Sequence, residues 1–179
     1  MKHFPSLILL LAFNVIFAQD KLITRTAKAS FFSETPVENI YAENNQVASI
    51  LLLPKKTVAF NVLLKSFKFE KALMEEHFNE KYVHSEKYPA AKFKGTFNED
   101  IDLTEAKTYA NVEIKGQMIF HGVTKPLNTI AEIIVNEDKT VTLKSKFPIN
   151  LEAYNIEVPA LVKDKIAPEI EVIIDATYK

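Results

Sequence analysis

The stretch that decides the fold is residues 112–120, VEIKGQMIF, because apolar and polar side chains alternate through most of its length. Glu113, Lys115 and Gln117 stand on one side of the predicted backbone, and Val, Ile, Gly, Met and Phe stand on the other. An alternation of period two is typical of an antiparallel strand with one buried face. The segment therefore predicts a sheet that is apolar on one side.

The same alternation extends the sheet in both directions along the chain. It recurs in residues 58–64, 91–97, 141–149 and 170–176. Weaker strand patterns cover residues 22–32, 38–42, 46–53 and 127–135. Residues 136–139, Asn-Glu-Asp-Lys, are rich in turn formers and predict a hairpin between the strands on either side of them.

Two short helices are predicted between the strands. Residues 73, 74, 77, 78 and 81 form an amphipathic stripe, which predicts a helix over 71–82. Pro159 suits the first turn of a second helix over 160–165. About eight strands and one or two short helices predict an all-β fold, either a sandwich or an up-and-down barrel. A barrel is favoured, because closure leaves no unpaired sheet edge.

Composition excludes several classes of function. The chain has 179 residues, with 22 Lys and Arg against 23 Asp and Glu, and no Cys. A net charge of −1 argues against a nucleic-acid-binding protein, which usually carries a basic face. The absence of Cys excludes disulfides, zinc–cysteine sites, iron–sulfur clusters and cysteine nucleophiles.

The N-terminus has the pattern of an export signal. Lys2 and His3 precede an apolar run from Leu7 to Phe17, and Ala18 is a small residue suited to cleavage. The run is shorter than the roughly 20 residues that a membrane-spanning helix needs. We therefore expect residues 1–18 to be a signal peptide, residues 19–179 to be a single domain without a membrane span, and the location to be periplasmic or secreted.

No catalytic or metal-binding pattern stands out. The serines lack a nucleophile-elbow context, and the chain has no phosphate loop, dinucleotide fingerprint or calcium loop. A metal site built from histidines would have to bring His77, His84 and His121 together, which spacing alone does not show. The sequence therefore predicts no catalytic residues, no metal ligands and no enzymatic activity.

The predicted inner faces of the strands are rich in phenylalanine. Phe60, Phe93, Phe97, Phe120 and Phe147 fall on these faces, and three further phenylalanines fall near the predicted helix. An eight-stranded barrel either fills its interior with such side chains or holds one small ligand. The pattern leaves both interpretations open, a packed core and a tunnel for a long apolar chain.

Three stretches, taken in order, resemble the YceI-like, polyisoprenoid-binding family. They are residues 73–82 (LMEEHFNEKY), 87–95 (KYPAAKFKG) and 116–126 (GQMIFHGVTKP). In the family, a short helix with a hydrophobic-Phe pattern is followed by Tyr/Phe-Pro, a strand with a central Phe, and a strand that ends in His-Gly-Val-Thr-Lys. The chain departs from the family at residues 24–33, where many members have Asp-x-x-His-Ser, and at residues 150–166.

The resemblance implies an extended, lipocalin-like antiparallel barrel with an elongated apolar cavity, exported and without enzymatic activity. The expected partner is a long-chain isoprenoid, a quinone or another lipid, held by a carrier or buffer that is linked to quinone or envelope stress. No other cofactor is expected, and the sequence leaves a homodimer open. The alternative is a structural or interaction module with a filled barrel.

The ligand contacts are predicted from the inward faces. They are Phe60, Val62, Phe67, Phe69, Phe78, Phe93, Phe97, Ile114, Met118, Phe120 and Phe147.

Overall fold

The computed structural model describes residues 21–179, which form nine β-strands and one α-helix. The strands are β1 (Lys21–Glu34), β2 (Asn39–Leu52), β3 (Thr57–Leu63), β4 (Lys68–Phe69), β5 (Ala90–Phe97), β6 (Lys107–Phe120), β7 (Val123–Val135), β8 (Val141–Asn150) and β9 (Glu169–Tyr178). The helix α1 spans Ala72–His77 and continues into a wider π-turn at Phe78–Tyr82. The expected signal peptide, residues 1–18, lies outside the described residues.

Eight of these strands close into an antiparallel barrel. Each long strand pairs with the next long strand along the chain, and β1 pairs with both β2 and β9. The two-residue strand β4 is added to the start of β2, through Ala42 and Phe69. The hairpin of β7 and β8 forms as predicted, with Val135 opposite Val141. The prediction of an all-β, up-and-down barrel is therefore confirmed.

The alternating pattern correctly identifies the inner face. On β6, Val112, Ile114 and Met118 are buried, whereas Glu113 and Lys115 are exposed. Inward side chains on the other strands form one continuous core with them. The hydrophobic effect therefore selects the strand register, because a slip by one residue would turn every apolar face outward.

One predicted pair of strands is a single strand in the structure. Residues 38–42 and 46–53 belong to β2, which runs through Asn44 without a break. Asn44 is fully buried, donates from Nδ2 to the Leu63 carbonyl at 2.8 Å and accepts from the Gln46 amide at 2.8 Å. The pairing of β2 with β1 shifts register at this point, so a β-bulge interrupts the alternation but not the strand.

The strand connections gather at two ends of the barrel. The end that we call the mouth carries residues 35–38, 64–89, 121–122 and 151–168. The end that we call the closed end carries residues 53–56, 98–106 and 136–140. Both predicted helical regions lie at the mouth, the first as α1 with its π-turn and the second as a single 3₁₀ turn at Ala160–Val162. No helix within residues 21–179 has the length and apolar character to cross a membrane.

The closed end is packed around a buried tyrosine. Tyr178 is fully buried, and its hydroxyl lies 2.7 Å from the Ser49 hydroxyl, which donates to the Ala59 carbonyl at 2.9 Å. Burial raises the pKa of Tyr178 well above its usual value. Leu51 and Val58 are also fully buried at this end. Both hydroxyl groups therefore have hydrogen-bond partners within the protein, which offsets the cost of burying them.

Candidate functional site: an apolar cavity that opens at the mouth

The interior of the barrel contains an apolar cavity of about 100 Å³, which we call the inner cavity. Side chains from β1, β3, β5, β6, β7, β8 and β9 line it, together with Leu64, Phe67 and Phe78 from the connection that follows β3. It exposes only apolar atoms. Lys92 is the one titratable residue among its described lining residues, and the Lys92 side chain is exposed to solvent. A space of this kind favours hydrocarbon over water.

Two hydroxyl groups point into this part of the barrel without making it polar. The Thr129 hydroxyl lies 2.9 Å from the Ser145 hydroxyl, which in turn donates to the Ile130 carbonyl at 2.9 Å. Because the two groups satisfy each other and a backbone acceptor, a ligand need not supply a hydrogen bond to them.

A second and larger cavity, of about 380 Å³, lies at the mouth, and we call it the mouth cavity. Its floor is apolar, with Ile40, Phe69, Leu151 and Ile156 among its lining residues. Four residues line both cavities, namely Phe31, Phe78, Phe120 and Ile170. The two cavities are therefore neighbours, and these four side chains form the wall between them.

A cluster of four phenylalanines forms much of that shared wall. Phe31 lies 5.3, 5.7 and 5.5 Å from Phe67, Phe69 and Phe78, measured between ring centroids. Phe78 completes the cluster at 5.6 Å from Phe67 and 5.1 Å from Phe69. Aromatic rings at these separations attract one another. The cluster ties β1 to β4 and to the turn that follows α1, so it fixes the position of the helix over the mouth.

The structure places most of the sequence-predicted contact residues at these cavities. The inner cavity is lined by Phe60, Val62, Phe67, Phe78, Phe93, Ile114, Met118, Phe120 and Phe147. Phe69 lines the mouth cavity only. Phe97 is buried opposite Ile114 near the closed end and lines neither cavity. Contact with a ligand remains a prediction for all of them.

Several cavity residues escaped the sequence analysis. Phe31 is at the centre of the aromatic cluster, although its strand has only a weak alternating pattern. Ala27 and Ala29 share its buried face, and this small-residue alternation was the signal that could have identified it. Ile156 and Ile166 belong to the connection between β8 and β9, and no periodic pattern marks them.

Two facing glycines determine where the ring of Phe93 lies. Gly95 on β5 is paired with Gly116 on β6, and a Cβ atom on either residue would come within 2.6 Å of Phe93 Cζ. The missing side chains therefore allow the Phe93 ring to lie flat along the inner wall. This arrangement keeps the ring at the side of the inner cavity and leaves its centre open.

Charged groups lie at the rim of the mouth cavity. Lys71 Nζ donates to the Glu38 carboxylate at 2.9 Å, and this hydrogen bond lowers the pKa of Glu38 and raises that of Lys71. Burial raises the pKa of Tyr82, which is also in the lining. His77 and Lys165 complete the polar part of the rim. The apolar floor and polar rim suit a molecule with an apolar body and a polar end.

Two of the three histidines considered as metal ligands meet, but in a hydrogen-bonded chain. His121 Nδ1 lies 3.0 Å from the Tyr154 carbonyl, which can only accept, so Nδ1 carries the proton. His121 Nε2 lies 2.9 Å from His84 Nδ1, so the two rings share a hydrogen bond. His77 lies elsewhere, with Nε2 3.1 Å from Lys81 Nζ. Residues 21–179 contain no cluster of three potential metal ligands. The hydrogen bonds that join His84, His121 and the Tyr154 carbonyl instead link three connections at the mouth.

One protein-family model matches most of the chain. The model of the YceI-like domain family matches residues 19–178. The sequence matches no curated protein at a significant level.

Solved structures with the same fold are distant in sequence. A polyisoprenoid binding domain from Saccharophagus degradans, implicated in plant cell wall breakdown, has a TM-score of 0.72 at 12% identity over 89% of this chain and 97% of its own. BcnA from Burkholderia cenocepacia has a TM-score of 0.72 at 14% identity, over 86% and 96% respectively. The YCEI protein from Campylobacter jejuni has a TM-score of 0.56 at 16% identity, over 69% and 72%.

Proposed function

The chain belongs to the YceI-like domain family, and we propose that it binds a long apolar molecule, an isoprenoid or a similar lipid. The apolar tail would occupy the inner cavity, and the polar end would lie at the mouth. The single observation that carries this proposal is the pair of adjoining cavities, which share the apolar residues Phe31, Phe78, Phe120 and Ile170 and of which the larger lies at the mouth. The polyisoprenoid-binding description of the Saccharophagus degradans domain, which has the same fold, also supports it.

The cavity volumes limit how many carbon atoms of such a ligand each cavity can hold. An engineered apolar cavity of about 150 Å³ accepts benzene. The inner cavity, at about 100 Å³, therefore accommodates only a few carbon atoms, such as the last branched unit of a chain. The next units would lie in the mouth cavity, and a longer chain would extend beyond it.

Burial of the chain supplies the affinity. Each methylene group that leaves water contributes about 0.8 kcal/mol. A ligand with several buried carbons would thus bind without any strong polar contact. Glu38, Lys71 and Tyr82 at the rim would orient a small polar end, such as a hydroxyl group or a quinone ring.

Binding without catalysis is the activity that this lining supports. The inner cavity brings no pair of ionisable side chains together among the described residues. The apolar run at residues 7–17 supports export to the periplasm or beyond, where such a protein would act as a carrier or buffer for a water-insoluble lipid. A function linked to quinone or envelope stress belongs to the same proposal.

The filled-barrel alternative is supported by one observation, the small volume of the inner cavity. In that case the rings would serve only as core, and the outer surface would carry the function.

A titration with farnesol distinguishes the two functions. Binding is measured by calorimetry on the protein after organic extraction and refolding, beside a straight-chain alcohol of the same carbon number. Saturable binding of farnesol supports the proposal, and weaker binding of the straight chain identifies branched isoprenoids as the preferred class. Absence of saturable binding of either alcohol to folded protein would contradict the lipid-binding proposal and favour the module.

A further inference from the structure

The rim of the mouth carries apolar side chains that point into solvent from three separate connections. Val37 is 57% exposed in the turn between β1 and β2, Leu73 is 59% exposed on α1, and Leu161 is 90% exposed between β8 and β9. Single exposed apolar residues are ordinary on protein surfaces. These three are unusual because each belongs to a connection that contributes a lining residue to the mouth cavity.

The exposed rim is continuous with the cavity lining. Leu73 itself lines the mouth cavity, Val37 precedes the lining residue Glu38, and Leu161 precedes the lining residue Val162. The Glu38–Lys71 ion pair and Lys165 lie beside these side chains, so the rim is mixed, with apolar groups between charged ones. A hydrocarbon that entered along this rim would remain next to apolar groups.

The connections that carry the rim residues are held in fixed conformations. In the first turn, the Glu38 amide donates to Thr35 Oγ1 at 3.0 Å, and Thr35 Oγ1 donates to the Glu38 carbonyl at 2.9 Å. Near Leu161, the Val162 amide donates to the Pro159 carbonyl at 3.0 Å, and the Ala167 amide donates to the buried Ser33 hydroxyl at 2.9 Å. Val37 and Leu161 are therefore exposed on connections whose backbone is held by hydrogen bonds.

Two lysines follow the most exposed leucine in the chain. Lys163 and Lys165 follow Leu161 and form no ion pair with any residue in the described part of the chain. A lysine beside an inserted apolar residue can keep its stem in the bilayer interface and its ammonium near the lipid phosphates. Acidic residues at the same end, including Glu34, Glu70 and Asp164, offset this positive charge. Apolar insertion, more than lipid charge, would therefore provide the stabilising contact.

We propose that the mouth docks on a phospholipid bilayer, with Val37, Leu73 and Leu161 inserted among the lipid headgroups and acyl chains. This inference rests on the proposed function, because docking places the cavity opening where a water-insoluble ligand would be collected or delivered. Interfacial insertion of this kind reaches about 5–10 Å into the boundary between headgroups and chains. The ligand would then pass from the bilayer to the cavity without crossing water.

Vesicle flotation tests the proposal. The full-length chain is produced in a bacterial host, and the form recovered from the soluble fraction is mixed with phosphatidylcholine vesicles after its N-terminus has been determined by mass spectrometry. The test variant combines Val37→Asp with Leu161→Asp, and neither residue lines the inner cavity or the mouth cavity. The matched control is Ile130→Asp, since Ile130 is 56% exposed on the outer wall of β7, away from the mouth.

We expect the double variant to bind vesicles at least about tenfold more weakly than the wild type, because each lost leucine or valine removes buried apolar area. The Ile130→Asp protein is expected to bind within about twofold of the wild type, since that side chain does not reach the bilayer. Failure of the wild type to float with the vesicles would overturn docking. An equal loss in the double variant and in the Ile130→Asp control would also overturn it.

The farnesol titration, carried out on the same proteins without vesicles, separates this inference from the proposed function. The double variant is expected to bind farnesol as the wild type does. Normal farnesol binding with no vesicle binding by the wild type would refute docking alone. If the wild type does not bind farnesol, the proposed function is refuted, whatever the result with vesicles.

Discussion

The closed half and the mouth half of the barrel are built on the same strands but are filled differently. Towards the closed end, Val58, Ile133, Val141 and Tyr178 are fully buried, and none of them lines the inner cavity or the mouth cavity. Towards the mouth, Phe60, Phe78, Phe93 and Phe147 are only partly buried and leave open space between their rings. The comparison indicates that one half holds the fold together while the other can exchange its own packing for contact with a ligand.

The largest expected effect comes from the glycine pair that borders both halves. In Gly116→Val, the new Cβ would collide with the Lys94 carbonyl oxygen and would lie 2.7 Å from Gly95 Cα. Backbone cannot move aside as a side-chain end can, so we expect at least about 3 kcal/mol of lost stability or no folded protein. Urea denaturation measures this change in the free energy of unfolding. Gln117→Val on the outward face of the same strand is the control, and an equal loss there would contradict the argument from close strand approach.

A smaller loss of stability is expected from two truncations, one in each half of the barrel, that distinguish core packing from ligand binding. Ile133→Ala removes a fully buried side chain and should cost about 3 kcal/mol of unfolding free energy. Phe78→Ala removes a ring with three aromatic contacts, but the ring is only partly buried and already borders a cavity, so we expect a smaller loss of about 2 kcal/mol. Farnesol affinity should follow the opposite order, falling clearly for Phe78→Ala and little for Ile133→Ala. If both variants lost stability and affinity in the same proportion, the two halves would not differ as described.

The same enlargement in the two halves should have opposite consequences. Ala29 lines the inner cavity, so Ala29→Leu has space to fill and should change stability by less than about 1 kcal/mol. Its side chain would occupy the position of the ligand tail, and we expect farnesol affinity to fall about tenfold. Ala176 is fully buried near the closed end and lines neither the inner nor the mouth cavity, so Ala176→Leu should cost about 1–3 kcal/mol through overpacking. Thermal unfolding and calorimetry together check both variants, and unchanged farnesol affinity in Ala29→Leu would contradict a ligand in the inner cavity.

The smallest effect concerns the alkaline stability of the closed end. Burial raises the pKa of Tyr178 above its ordinary value of 10.0, so the folded state retains a proton that the unfolded state loses. The stabilising contribution is therefore complete below pH 10.0 and decreases as the pH rises above it, by at most about 1.4 kcal/mol per pH unit. Tyr178→Phe should cost about 1 kcal/mol at neutral pH, through loss of the bond to Ser49, and should remove this part of the alkaline slope. Denaturant titrations at several pH values measure the difference, and an identical slope in both proteins would show that Tyr178 is not held neutral by burial.

The sequence predicted the strands of the barrel because alternation directly reports which side chains face the core. It identified β6 and its inward Ile114, Met118 and Phe120 correctly. It divided β2 in two because Asn44 is buried at a bulge, where a hydrogen bond to Leu63 replaces apolar packing. A buried amide in the middle of a strand gives the same pattern as a turn.

The candidate site was less accessible to sequence analysis. Inward residues could be named, but the space between them depends on how each ring lies, as the position of Phe93 over Gly95 and Gly116 shows. Leu151, Ile156 and Val162 come from an irregular connection without periodicity, so their position at the mouth follows only from the folded chain. Phe97 illustrates the converse, because its inward face was predicted correctly although it lies beyond the cavity.

The central claim is that the mouth half of the barrel holds an apolar chain, and organic extraction of the natively purified protein tests it most directly. Mass spectrometry of the extract is compared with that of Ala29→Leu, purified in the same way. The account predicts a long-chain lipid in stoichiometric amount with the wild type and a clear reduction in the variant. A wild-type extract that contains no such lipid, even after incubation with isoprenoid quinones, would contradict it.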